Sequence, residues 1–331
     1  MIERKKRRTG KIGIFAVAHA AYGRQFEGFE EKILGYHADL CAKIRKNDID
    51  LTDFGMIDSS EKAYAAIPKI LGADVDVLFC NMTTYATSSV FAPIIKAVNK
   101  PVVLAALQPA KCLDYKNACT LMQLENDNIC AVPEFTGVAV RMNRRVNDVI
   151  LGCLYGDEDA DAEIAEWCDI AKVLNSLSGA RLGLMGHVLE SMYDMHADPT
   201  AISNAFGVHV PLLEIDDAAE LFKTVTEEET EKKIEVIKAE FDMPDPVSDP
   251  VTRKLTREDL YQSAKTAAAL DKLVEKYNLT GLAYYYEGAE ASLRRQVAQS
   301  FIVGNSILNA QGIPMCGEFD IKTCIAMLIM D

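Results

Sequence analysis

Lys11-Ile12-Gly13-Ile14-Phe15-Ala16-Val17-Ala18 is a short, nearly continuous apolar run, and it ends in His19-Ala20-Ala21-Tyr22. A strand that faced water on one side would alternate polar and apolar residues. An unbroken run predicts a strand covered on both faces. Working outward, residues 24–44 carry Phe26, Phe29, Ile33, Leu34, His37, Leu40 and Cys41 at helical spacing. A strand at 49–54 follows, then a helix opened by the cap Ser59-Ser60-Glu61-Lys62 and running to 71. Strands at 76–80 and 101–105 enclose a helix at 88–98. Alternating units of this length predict a doubly wound parallel sheet.

The alternation continues with a helix at 133–146, a strand at 147–153 and an acidic-headed helix at 157–177. Ser178-Gly179 ends that helix, and a new cycle opens at 180–187. The expected architecture is therefore α/β, with two tandem doubly wound (Rossmann-like) parallel-sheet domains at 1–178 and 179–331. The second cycle predicts a helix at 199–206, a strand at 208–215 and a helix at 218–226. The charge run 227–233 reads as a solvated helix face. The proline-rich 243–250 is a loop, a capped helix fills 256–277, and a strand lies at 282–286.

The 331 residues carry a net charge of −14, which repels phosphate backbones and argues against a nucleic-acid partner. The basic octet at the N-terminus reads as a solvated leader. No apolar stretch approaches the ~20 residues that span a bilayer, so no membrane partner is expected. The apolar run 12–21 reads as the first strand, not a signal peptide. Nine cysteines, an odd number with no CxxC pair, suit free thiols in a reducing compartment, so a cytoplasmic location is expected. No GxGxxG follows the first strand and no GxxxxGK[ST] occurs, which disfavours nicotinamide dehydrogenases and P-loop enzymes.

Ligands of doubly wound sheets bind beyond the carboxyl ends of the strands. Three loops fall there, and they offer His19, then Thr83, Thr84 and Tyr85, then Gln108. Neutral hydrogen-bonding groups suit a polyhydroxylated ligand better than a phosphate. Capping and turn chemistry is the competing role for Thr83, Thr84 and Tyr85. His187, Asp194, His196 and Asp198 form a small cluster without a common zinc spacing. They read as a polar loop after a strand. Near the C-terminus, Tyr284-Tyr285-Tyr286-Glu287 and Met315-Cys316-Gly317-Glu318 each raise a carboxylate at an expected strand end. Two such oxygens supply half a site for a hard cation such as Mn²⁺ or Mg²⁺, or a pair able to move protons. Alternatively, Glu287 caps a helix beginning near Ala289.

Gly317-Glu318-Phe319-Asp320-Ile321-Lys322-Thr323, followed by Ala326-Met327, resembles the Gly-Glu-Gly-Asp-x-Lys-Thr segment of L-arabinose isomerases and their L-fucose isomerase-like relatives. Thr83-Thr84-Tyr85-Ala86-Thr87-Ser88-Ser89 and Leu107-Gln108-Pro109 are similar to the N-terminal domain of that group. The resemblance implies an aldose–ketose isomerase acting on a pentose or deoxyhexose with Mn²⁺. It makes Glu287 (or Glu290) and Glu318 the metal ligands and proton shuttles. Gln108 becomes a sugar contact, Thr83, Thr84, Tyr85 and His19 line the pocket, and a homo-oligomer is implied for the complete protein. Phe319 stands where relatives often have glycine. The family completes its metal site with histidines from segments beyond Asp331, and none of the five histidines here matches them. A truncated or naturally short form with little activity alone is therefore expected. A non-catalytic sugar-binding module is the competing reading.

Overall fold

The structure is a computed structural model that describes residues 2, 3, 9–243 and 256–331. It is mixed α/β, with two parallel sheets belonging to two compact units, Arg8–Asn175 and Ser176–Asp331.

In the N-terminal unit the strands are β1 (Gly10–Val17), β2 (Ile49–Ile57), β3 (Val77–Met82), β4 (Val102–Gln108) and β5 (Asp148–Cys153), in the order β2-β1-β3-β4-β5 and all parallel. The unbroken apolar runs are explained by two cores, one on each face. Phe15, Leu78, Cys80, Leu104 and Ala106 enter one core, while Ile12, Ile14, Phe79, Val103 and Ala105 enter the other. Successive residues thus point to opposite layers, as the period of a strand requires. On the first face Phe91 and Phe135 stack with ring centroids 4.7 Å apart.

β1 and β2 fall out of step: Ile14 faces Asp53 but Ala16 faces Met56, so β2 carries an extra residue. Gly55 absorbs this bulge at φ 79°, and its N–H donates to Asp53 Oδ1 at 2.8 Å. Helices differ from the sequence expectation mainly at their starts. The 24–44 helix divides into Ala20–Gln25 and Phe29–Arg45, because Gly28 turns left-handed between them. The 88–98 helix is a 3₁₀ turn, Ser88–Val90, followed by Ala92–Ala97. Ser59 caps Ser60–Gly72 by accepting from Lys62 N, as its spacing implied.

The C-terminal unit has β6 (Leu182–Gly186), β7 (Leu212–Leu213), β8 (Gly281–Tyr285) and β9 (Met315–Cys316), parallel and in the order β7-β6-β8-β9. The strand expected at 208–215 shrinks to β7 plus a bridge between Arg181 and His209. Pro211 interrupts it, having no N–H to give, while its carbonyl accepts from Leu184 N at 2.9 Å. The helix expected at 218–226 begins earlier, at Ile215, and ends at Thr224. Thr256 and Asp259 form a reciprocal capping box at the head of helix Arg257–Tyr277. Ala264, Ala267, Leu270 and Leu273 on that helix are buried. Its close approach to helix Phe301–Ala310 depends on Gly304, where a Cβ would lie 3.0 Å from Ala267 Cα. Of the expected loop 243–250, residues 244–250 lie outside the described residues. Among the described residues no helix is long and apolar enough to cross a membrane.

Candidate functional site

In each sheet the strand order reverses at one place, and in doubly wound sheets ligands bind beyond the carboxyl ends of the strands at such a point. In the N-terminal unit this point lies between β1 and β3. His19, just past β1, meets Tyr22 and Tyr85 edge-on with centroids 5.1 and 6.4 Å apart. Tyr85, past β3, donates its hydroxyl to Glu134 Oε2 at 3.3 Å. The other oxygen of Glu134 accepts from Ser88 N at 2.6 Å. Burial raises the Glu134 carboxyl, but the hydrogen bonds from Ser88 and Tyr85 outweigh it and the net shift is downward. The Glu134 charge in turn raises the Tyr85 phenol.

The loop residues expected to line a pocket divide into two groups. His19 and Tyr85 are partly open to solvent at the switch point. Thr83 and Thr84 are buried, and their hydroxyls donate to Val17 O and Leu124 O, both at 2.8 Å. They tie the β3 loop to its neighbours, so they present no free hydroxyl to a ligand. Gln108 ends β4 half-exposed, and its Nε2 donates to Ala110 O at 2.8 Å, which folds the side chain over its own loop. Glu134 was missed. It lies 49 residues from Tyr85 in sequence, and the only sequence signal was a single acid in the first turn of an expected helix.

In the C-terminal unit the switch point lies between β6 and β8. Gly186 has φ 89°, and a Cβ there would sit 2.0 Å from Tyr285 O, so only glycine lets the chain turn so close to β8. That turn sets His187 against the end of β8. Its N–H donates to Tyr285 O at 3.1 Å, and its ring meets Tyr285 edge-on at 5.3 Å. Glu287 N donates toward His187 Nε2 at 3.5 Å, and Tyr285 donates its hydroxyl to Glu287 Oε2 at 2.8 Å. This bond is the largest cause of the raised Tyr285 phenol; the charge of Glu318 adds to it and Arg295 opposes it.

Glu287 caps no helix: residues 287–291 are irregular, and Ser292 caps helix Leu293–Gln299 by accepting from Arg295 N. Glu290 stands exposed in the same irregular segment. Glu318 and Phe319 follow β9 with φ of 57° and 66°, two successive left-handed residues that are not glycine. Each such residue costs on the order of 1–2 kcal/mol. The bend is held by Phe319 N donating to Tyr284 O at 3.0 Å, and by Asp320, whose carboxylate caps helix Ile321–Met330 through Thr323 N at 3.0 Å. Because Asp320 does the capping, Glu318 is left exposed at the strand end.

The residues 187–198 do not converge as a cluster. His187 turns to β8, Asp198 caps helix Pro199–Phe206, His196 lies by the Tyr193 ring, and the Asp194 carbonyl accepts from Lys322 Nζ. Among the described residues one trio of His, Cys, Asp or Glu converges closely enough to share a metal ion: His37, Cys41 and Asp53, whose ligand atoms all lie within 4.8 Å of one another. Sequence reading took His37 and Cys41 for core positions of a helix, which their burial also makes them. Nothing in the sequence paired them with Asp53. The nine cysteines are free, five of them buried and Cys112, Cys119 and Cys130 exposed. Compared with protein-family models and with curated proteins, the chain matches no family model and no curated protein.

Proposed function

We propose that the chain carries the chemical end of a sugar aldose–ketose isomerase at the strand ends of its C-terminal unit. The observation that carries this reading is the juxtaposition of Glu287 and Glu318 beyond the adjacent strands β8 and β9, with the Tyr285 phenol bonded to one carboxylate and sensing the charge of the other. Isomerisation moves one proton between adjacent carbons of a hydroxy-carbonyl compound, and two acids on one side of the substrate can remove and return it. Glu287 is oriented by Tyr285 and by its own N–H against His187. Glu318 is raised on the left-handed bend. In this reading Glu318 takes the proton from C2 and delivers it to C1, while Glu287, steadied by the phenol, passes the hydroxyl proton from O2 to O1.

The donor set is hard oxygen, which suits Mn²⁺ or Mg²⁺. Glu287 and Glu318 would hold such an ion, and when bound it would polarise the sugar's carbonyl and hydroxyl oxygens. Two carboxylates make a partial coordination shell, so weak binding is expected. In the N-terminal unit the His19, Tyr22 and Tyr85 corner supports contact with a sugar. That corner also favours a non-catalytic sugar-binding module as second reading.

Titration with Mn²⁺ while following thermal unfolding separates the two. A ligand at 100 times its Kd stabilises by about 2.7 kcal/mol, so wild type should melt higher. Glu318→Gln and Glu287→Gln should each abolish the rise. If Mn²⁺ and Mg²⁺ leave wild type unmoved while a pentose or deoxyhexose stabilises it, the isomerase reading fails and the binding module stands.

A further inference from the structure

The strongest feature outside these strand ends is the His37, Cys41 and Asp53 trio in the N-terminal unit. His37 and Cys41 are one turn apart on helix Phe29–Arg45, hence on the same face, and that face is buried against the sheet. Asp53 projects from β2 at the bulge. His37 Nε2 lies 3.1 Å from Asp53 Oδ1 and 3.7 Å from Cys41 Sγ. A tetrahedral ion with bonds of about 2.0–2.1 Å to nitrogen and oxygen and about 2.3 Å to sulfur sets its donors roughly 3.3–3.6 Å apart. The two spacings from His37 bracket that range, and all three donors lie within 4.8 Å of one another.

We propose that His37 Nε2, Cys41 Sγ and Asp53 Oδ1 form a zinc site that fastens helix Phe29–Arg45 to the bulge of β2. Two further features fit a built site. Asn81, itself buried, contacts His37 Nδ1 at 2.9 Å through its side-chain amide, the kind of outer partner that fixes a ligating imidazole in orientation. Gly55 N fixes the Asp53 carboxylate. The Asp53 side chain is 37% exposed while that of His37 is 4% exposed, so an ion enters from the Asp53 side and a water completes its coordination there. One thiolate, one imidazole and one carboxylate select Zn²⁺ over Mn²⁺ or Mg²⁺. Binding displaces the thiol proton, and the imidazolium proton where it is present. The two anionic ligands then balance the ion's double charge, so a neutral centre is buried.

The test uses the full chain stripped with a chelator and titrated with Zn²⁺ and, separately, with Co²⁺, whose thiolate bond produces a charge-transfer band in the near ultraviolet. Wild type should take up a single tight equivalent and show the band. Cys41→Ser should lose the band with its circular dichroism unchanged. Asn81→Ala should weaken binding about 10–100-fold. Glu318→Gln should leave the band intact, which separates this site from the strand-end carboxylates. Should Cys41→Ser fail to fold, Asp53→Asn replaces it and must weaken the band. Absence of the band in wild type, or its persistence in both variants, overturns the proposal; persistence would assign the metal to the exposed thiols Cys112, Cys119 and Cys130.

Discussion

In metal-free protein the same trio makes a measurable demand on pH. Burial pulls the His37 imidazole down, but the hydrogen bonds to Asp53 and Cys41 more than offset it and raise the group to about 9. Asp53 is lowered, first by its bond to His37. An imidazolium donates from both nitrogens, so the Asn81 amide, whose Nδ2 lies 2.9 Å from Nδ1, must flip to present Oδ1 when His37 is protonated. Between pH 6.5 and 9 the folded protein binds a proton that the unfolded chain does not. Stability is therefore fully present below 6.5 and is lost as pH rises through 9. At 1.36 kcal/mol per pKa unit the gross linkage would be about 3 kcal/mol. Because Asp53 is more than a third exposed, solvent screening reduces it to roughly 1–2 kcal/mol. For a unit of this size that corresponds to a fall of about 2–8 °C in Tm.

The assay is urea unfolding of chelator-treated wild type and Asp53→Asn at pH 6.5 and 9.5, read as the difference between the two proteins. This difference cancels the exposed thiols and the acidic surface. The wild-type advantage should be present at pH 6.5 and absent at 9.5. An NMR titration of His37 should give a midpoint near 9 in wild type and a clearly lower one in Asp53→Asn, where only the Cys41 contact still opposes burial. Parallel pH slopes in the two proteins, or a wild-type midpoint near 6.5, would refute the assigned ion pair.

Phe319→Gly relieves one left-handed residue and restores glycine conformational freedom; the strain released, on the order of 1–2 kcal/mol, exceeds the roughly 0.4–1 kcal/mol of added chain entropy. It should therefore unfold at slightly higher urea, and a loss above about 1 kcal/mol would mean the half-buried ring matters more than the bend. Glu134→Gln removes the charge that raises Tyr85, so the phenol should titrate lower, seen by phenolate absorbance against Tyr85→Phe; an unchanged midpoint would break the assigned pair. Thr256→Ala should cost about 1 kcal/mol by opening the capping box ahead of Arg257–Tyr277, measured by urea unfolding.

The parallel sheets were legible because burial on both faces erases alternation in the strands themselves: every residue of β3 is buried, and its sequence is apolar except for Asn81. Caps were legible too, since Ser59 and Thr256 act on backbone groups three residues away. What escaped was non-local. Pro211 breaks a strand where it meets β6, and β9 is two residues long because its chain turns left-handed at Glu318 and Phe319 soon after Cys316. Thr83 and Thr84 looked like pocket hydroxyls, since sequence cannot show that Val17 and Leu124 supply carbonyls to both. Asp53 stands 16 residues from His37, and a helix and a bulge must form before the two meet.

The two switch points also differ in a way that bears on chemistry. Each sets a histidine edge-on to a tyrosine at or just past the end of the neighbouring strand, His19 with Tyr85 and His187 with Tyr285. In the first, the acid bonded to the tyrosine is Glu134, and its second oxygen is occupied by Ser88 N, which lowers it and makes it a poor proton acceptor. That corner can orient a hydroxylated ligand but has little basicity to offer. In the second, Glu287 receives one phenolic bond at a single oxygen, and Glu318 stands exposed on a left-handed bend held by Phe319 N on Tyr284 O and by the Asp320 cap. Backbone strain that its surroundings hold in place recurs at functional sites. On the proposed isomerase reading the acid–base chemistry lies at Glu287 and Glu318, and a Glu318→Gln variant that keeps wild-type metal response would remove the reason for that strain.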